Sequence, residues 1–238
     1  MKKLLLALCT VSFLLLTGCA ATRLTDEAEK QIKTIAVISL VPEKANYEKI
    51  GLTVFNNERG EIDMGDQINS TIESVATKRL AVARPTWKVA TVSYDRAALI
   101  KRLNATNMVM AYNEERIEKE LAEIIRANRL DAVIVVSAYK PENSHGDGVG
   151  VLLRTLNVSS IQNAYAHSNL SLKIMDPKGQ IIARSPAQST SRRIDPAAYG
   201  IGYSLSGNFS PELIARLRAD ITENLAQTVN QKLEGLGM

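Results

Sequence analysis

The chain has 238 residues, with 29 lysines and arginines against 25 aspartates and glutamates, a formal charge of +4 and 45% hydrophobic residues. That balance argues against a nucleic-acid partner, and no long like-charge run alters the reading. The roughly 205 residues from Thr34 onward suffice for a single domain with a substantial core.

The chain opens as an export signal does, with Lys2 and Lys3, an apolar run from Leu4 to Leu16, and small residues at its end. A spanning helix needs about 20 apolar residues, and this run, interrupted by Thr10 and Ser12, is too short. The rival readings of this segment are an ordinary signal peptide that happens to contain Cys19, and a membrane anchor. Leu16-Thr17-Gly18-Cys19 resembles the lipobox of bacterial lipoproteins processed by the lipoprotein signal peptidase. The resemblance implies a cut before Cys19, diacylglycerol on its thiol, and a mature chain that is anchored to a membrane without spanning it. Several acyl chains, palmitate among them, would hold it stably, each buried methylene contributing about 0.8 kcal/mol. Ala20 stands where an Asp would favour inner-membrane retention, so the resemblance implies the periplasmic face of the outer membrane.

Residues 1–18 are thus expected as the leader, 19–33 as a lipidated tether or short helix, and 34–238 as the periplasmic domain. Removal of Lys2 and Lys3 leaves 27 basic residues against 25 acidic, which argues against a nucleic-acid partner. Cys9 leaves with the leader and Cys19 is consumed by lipid, so no disulfide forms within the mature chain and its core alone must hold it.

Thr34 to Pro42 carries Ile35, Ala36, Val37, Ile38, Leu40 and Val41, a buried strand by length and residue type. Ile50 to Asn56 reads as extended, and Asn57-Glu58-Arg59-Gly60 as turn residues before Glu61 to Met64, a small hairpin or irregular excursion. Ile68, Ile72, Val75, Ala76 and Leu80 recur at helical spacing from about Asp66 to Val82, with Pro85 as the stop. Trp87 to Tyr94 alternates as a strand does, and a short helix with Ala97, Leu99, Ile100 and Leu103 follows. Asn113 to Asn128 reads as a helix capped by Asn113, with Ile117, Leu121, Ile124 and Ile125 facing inward.

Leu130 to Ala138 is the most apolar strand. A mobile-looking loop over Pro141 to Gly150 leads to β signals at Val151 to Val158 and Tyr165 to Met175. There Leu170, Leu172 and Ile174 alternate with Asn169, Ser171 and Lys173, the mark of a half-buried strand. Asp176-Pro177-Lys178-Gly179 is a turn that returns the chain along Gln180 to Ala183. Ser185 to Gly207, rich in Ser, Gly, Pro and Arg, reads as a long exposed loop. A helix from Ser210 to Leu233 closes the chain, with Ser210 as cap and Pro211 in its first turn. The fold class is α/β (α+β): a mixed sheet with helices packed on it and a long C-terminal helix.

Chemical signatures are sparse. Gly202-Tyr203-Ser204-Leu205-Ser206-Gly207 lacks the second glycine of a nucleophile elbow, and both histidines, His145 and His167, precede it. They stand 22 residues apart, with Asp147 near His145, a spacing that singles out no zinc site and suits surface histidines. Gly146-Asp147-Gly148-Val149-Gly150 precedes a strand instead of opening a helix, so it reads as a loop tip and not as a phosphate cradle. Glu114, Glu115, Glu118, Glu120 and Glu123 alternate with Arg116 and Lys119 as a wet helix face does. No catalytic residue, metal ligand or cofactor is assigned.

Lys33-Thr34-Ile35-Ala36-Val37 and the run from Arg129 to Ser137, Arg-Leu-Asp-Ala-Val-Ile-Val-Val-Ser, resemble the αβ core of CsgG-type and LpoB-type periplasmic lipoproteins across Thr34 to Ala183. The resemblance implies that these two strands are sheet neighbours and that the chain is a non-enzymatic lipoprotein that binds or helps assemble other envelope proteins. The long alternating strands of a CsgG-type pore are missing from this sequence. The alternatives are a periplasmic hydrolase, a small-ligand-binding lipoprotein, and an oligomeric CsgG-like secretion component.

Overall fold

A computed structural model describes residues 22–51, 57–104, 117–141, 146–157, 160–185, 189–195 and 209–238, the backbone alone for 155–157 and 160–162. The lipobox residues Leu16, Thr17, Gly18 and Cys19 lie outside the described residues, as do His145, the cap Asn113, Glu114, Glu115 and the Gly202–Gly207 stretch.

The elements are α1 (Asp26–Gln31), β1 (Thr34–Leu40), β2 (Lys44–Ile50), β3 (Glu58–Asp63), α2 (Gln67–Ala83), β4 (Lys88–Ala90), α3 (Arg96–Asn104) and α4 (Glu118–Ala127). They continue with β5 (Ala132–Ala138), β6 (Val149–Asn157), β7 (Ser160–Ser168), β8 (Leu170–Met175), β9 (Ile181–Arg184), β10 (Thr190–Ile194) and α5 (Pro211–Gly235). The expected mixed sheet, its helices and the long C-terminal helix are all found. The strands divide between two five-stranded sheets, ordered β4-β1-β5-β8-β9 and β10-β7-β6-β2-β3.

β1 pairs in parallel with β4 on one side and with β5 on the other, from Ile35↔Ala132 to Leu40↔Ser137. Its two faces feed two cores. Ile35 and Val37 join Ile68, Ile72, Ala76 and Leu80 of α2 and Leu217, Ile221, Leu225, Val229 and Leu233 of α5. Ala36, Ile38 and Leu40 join Leu99 and Leu103 of α3 and Leu121 and Ile125 of α4. Burial on both faces explains why the strand is an unbroken apolar run instead of an alternating one. Asp131 fixes the register: its Oδ2 accepts the backbone N–H groups of both Lys33 and Thr34 at 2.8 Å, one strand end tying down the other.

The second sheet is built from continuations of the first. β1 is followed after three residues by β2, and β7 passes into β8 across the single residue Asn169. Its inward residues, among them Ala45, Tyr47, Ile62, Val151, Leu153 and Ala166, share the α2 and α5 core. Ser210 caps α5 by accepting the N–H of Leu213 at 3.3 Å. Inside that interface Asn224 donates to Ser168 Oγ at 2.9 Å.

Several expectations are corrected. The strand read as Tyr165 to Met175 is two strands, broken at Asn169, whose backbone is held by Gly148 and Tyr139. β8 is buried on both faces, Ser171 and Lys173 included, because the α4 side covers the face expected to be wet. The hairpin near residue 50 starts earlier, with β2 from Lys44, and the residues read as a turn, Glu58 to Gly60, pair with β2 as part of β3. The described part of the expected Ser185–Gly207 loop contains β10, with Ile194 buried. Within the described residues α4 runs from Glu118 to Ala127, and the expected start at Asn113 lies outside them.

These packing assignments set an expectation for stability. Ile72 is fully buried between α2 and the sheet, whereas Val82 on the same helix is 80% exposed. Ile72→Ala is expected to cost about 2–5 kcal/mol in urea unfolding, and Val82→Ser to stay within about 0.5 kcal/mol of the parent. Equal effects of the two would contradict the orientation of α2.

Candidate functional site

The chain leaves β1 on the face that carries α2 and returns through β4 to the opposite face, where α3 and α4 lie. Neighbouring parallel strands whose connections depart to opposite faces leave a gap beyond their carboxyl ends, the place where open α/β sheets bind ligands. Here the gap is widened because β4 separates from β1 after Ala36↔Ala90, so the strand expected over Trp87 to Tyr94 pairs only over Lys88–Ala90. A crevice of about 300 Å³ results, lined by Val37, Glu73, Thr77, Tyr94, Arg96 and residues 90–93.

Tyr94 closes the far end. Its hydroxyl accepts the Ser39 N–H at 3.0 Å and lies 3.2 Å from the Ser39 carbonyl and 3.1 Å from Glu73 Oε1, to either of which it can donate. The phenol thereby takes the place of a β4 backbone partner for β1. Arg96, at the start of α3, reaches back over the Tyr94 ring and bonds Glu73 at 2.7 Å and Asp66 at 3.0 Å. Beneath the crevice, Ser39 Oγ donates to Asn69 Oδ1 at 2.6 Å, both residues fully buried.

Burial pushes the Tyr94 phenol above its usual range, although Arg96 and Ser39 oppose the shift. Burial works against the charge on Arg96, but Tyr94 and Glu73 outweigh it and hold the guanidinium above its usual range. Both groups therefore hold their protons near neutral pH. None of Ser39, Asn69, Glu73, Tyr94 and Arg96 was singled out from the sequence. The available signals were a Ser inside an apolar strand and an Asn inside the apolar stripe of α2.

His167 overturns the surface reading: it is 4% exposed, near the end of β7, paired on both sides within the second sheet. Gly146, at a φ of +91°, lies over it so closely that an added Cβ would sit 2.6 Å from the ring. Gly150 is needed for a similar reason, since a Cβ there would meet the Asn46 carbonyl at 2.1 Å. These close approaches account for the glycine-rich stretch. Neither His167 ring nitrogen has an aligned hydrogen-bond partner. Burial lowers its pKa, and the Asp147 backbone with the charges of Glu48 and Asp147 offset this only in part. Asp147 itself pairs with Lys140.

Among the remaining sequence candidates, Glu120 pairs with Arg102, and Glu123 is exposed. Lys173, its pKa lowered to about 8 by burial and by Arg184, faces a cavity of about 20 Å³ with Ser137 and Glu118, room for no more than a water. A shallow groove of about 670 Å³ between α2 and α5 reflects the small side chains Ser70, Ala215, Ala219 and Ala226. Among the described residues no cluster of three metal-ligating side chains occurs, and no helix is long and apolar enough to cross a membrane.

No family model and no curated protein matches the chain. Several solved structures match the chain over most of its length at low identity. Lipoprotein GNA1162 from Neisseria meningitidis is 13% identical with a TM-score of 0.29, over 82% of this chain and 99% of that one. A PelC dodecamer from Paraburkholderia phytofirmans is 12% identical with a TM-score of 0.31, over 87% and 91%. The C-terminal domain of LpoB from Salmonella enterica is 11% identical with a TM-score of 0.23, over 78% and 91%. Likeness at this level carries no function from those proteins to this chain.

Two outcomes follow from the geometry. Tyr94→Phe strips the Ser39 N–H and carbonyl of their partner and is expected to cost about 1–3 kcal/mol in chemical unfolding. An unchanged midpoint would mean the hydroxyl is dispensable. For His167 the native pKa lies below the unfolded value of 6.5, so the unfolded state binds the proton first as pH falls. Stability is unaffected well above pH 6.5 and declines below it. His167→Phe is expected to flatten that decline between about pH 7 and 5; an identical slope in the variant assigns the decline to other groups.

Proposed function

We propose that this chain is a lipoprotein anchored by lipid on Cys19 at the periplasmic face of the outer membrane, and that it acts there by binding envelope proteins and not by catalysis. The lipobox-like Leu16-Thr17-Gly18-Cys19 supports the anchor. The observation that carries the binding role is the crevice at the carboxyl ends of β1 and β4. Its charged groups, Glu73 and Arg96, are paired with one another, and side chains of Thr77, Thr91 and Ser93 offer further hydrogen-bonding groups along it. At about 300 Å³ it stands at the small end of ligand sites, a size that suits a short polar segment of a partner protein.

A second reading, small-ligand binding, is favoured by the same crevice, since a small polar molecule would use the same hydrogen-bonding groups. The test is in-cell crosslinking and affinity capture of the wild-type chain beside Cys19→Ala and Thr77→Trp, the latter filling the crevice from exposed Thr77. A discrete set of envelope proteins, lost with either substitution, is the expected result. Partners retained by Thr77→Trp would remove the crevice from the interface. Crosslinks of the chain to itself alone would favour an oligomeric ring.

A further inference from the structure

Thr22, the first described residue, is already part of a sheet. Its N–H donates to the Arg184 carbonyl at 3.0 Å, and its carbonyl accepts the Arg184 N–H at 2.9 Å, an antiparallel bridge on β9. β9 is one edge of the first sheet. Two residues on, the Leu24 N–H donates to the Leu236 carbonyl beyond the end of α5, and the Leu24 side chain is buried there. Thr25 caps α1 by accepting the N–H of Ala28. Glu29 then pairs with Arg84 at 2.8 Å, and Ile32 is buried before β1 begins. Residues 22–32 therefore lie against the domain at several points along their length.

Cys19 precedes Thr22 by three residues, which span at most about 11 Å even when fully extended. We propose that the anchor has no slack, so that the end of the domain formed by Thr22, Arg23 and the Arg184 end of β9 rests on the phosphate headgroups of the bilayer that holds the lipid. This inference rests on lipidation of Cys19. Arg23 is exposed and Arg184 partly so, and both cations suit phosphates. Asp26 and Glu27, exposed at the start of α1, keep the region from being polybasic, so the short connection and not charge holds the face down. β4, with the crevice beside it, lies four strand spacings across the sheet from β9, about 19 Å. A partner in the crevice is then met close to the membrane, within the thickness of one domain.

The mature chain offers no other free thiol once Cys9 is removed and Cys19 is acylated, so one introduced cysteine can be labelled uniquely. Arg23→Cys and Thr91→Cys, each carrying a fluorophore, are reconstituted as the full lipoprotein in phosphatidylethanolamine and phosphatidylglycerol vesicles with nitroxide headgroups. Quenching is expected at position 23 and not at 91. It should be lost when a Gly/Ser linker of about 20 residues, with a reach of roughly 25 Å, is inserted between Ala21 and Thr22, while flotation with the vesicles persists. A chain that floats and carries acyl mass on Cys19 but is unquenched at 23, or stays quenched after the insertion, overturns the proposal. A chain that neither floats nor carries acyl mass refutes the lipidation reading itself, and the inference falls with it.

Discussion

The structure depends on the burial of β1 on both faces. A strand with parallel partners on either side and apolar residues pointing both ways needs helices above and below it, and both layers exist: α2 with α5 on one face, α3 with α4 on the other. To supply them the chain must leave β1 on one face and return on the other. The crevice beside β4 is a consequence of that crossing, so it is positioned by the same packing that forms the core.

Polar groups inside this frame fix alignment more than they add net stability. Asp131 holds the starts of β1 and β5 together through two backbone N–H groups. Ser39 and Asn69 pair between β1 and α2, and Ser168 and Asn224 between β7 and α5. A hydrogen bond of this kind contributes about 1 kcal/mol net, but a slipped register would strand buried donors at a larger cost. Each pair therefore selects one arrangement of an element whose apolar surface alone would accept several.

The proposed membrane attachment and the proposed recognition crevice involve the same sheet. Thr22 is bridged to one edge strand, and the crevice lies beside the strand at the opposite edge. With the proposed anchor in place, the sheet between them would fix the height of the crevice, which a long flexible tether would leave undefined. The second sheet extends from the first across Asn169 and is pinned where Gly146 lies over His167.

Much of the fold was legible in the sequence because it depends on local periodicity. The apolar runs of β1 and β5, the stripes of α2 and α5, the Ser210–Pro211 start of α5 and the Asp176–Gly179 turn all follow from spacing and turn chemistry within a few residues. The Leu16–Cys19 signature likewise belongs to the sequence alone. Tertiary structure decided what depends on distant neighbours. Ser171 and Lys173 alternate as a half-exposed strand would, yet the α4 side covers them. His167 is indistinguishable in sequence from a surface histidine, and Gly146, 21 residues earlier, buries it. Trp87 to Tyr94 has the pattern of one strand, but Tyr94 spends its hydroxyl on Ser39, 55 residues away, and so opens the crevice. Residues 22–32 are polar enough to be a tether, but two buried apolar side chains and a backbone bridge to Arg184 fold them onto the domain, because the free energy of those contacts resides in partners that local sequence does not contain.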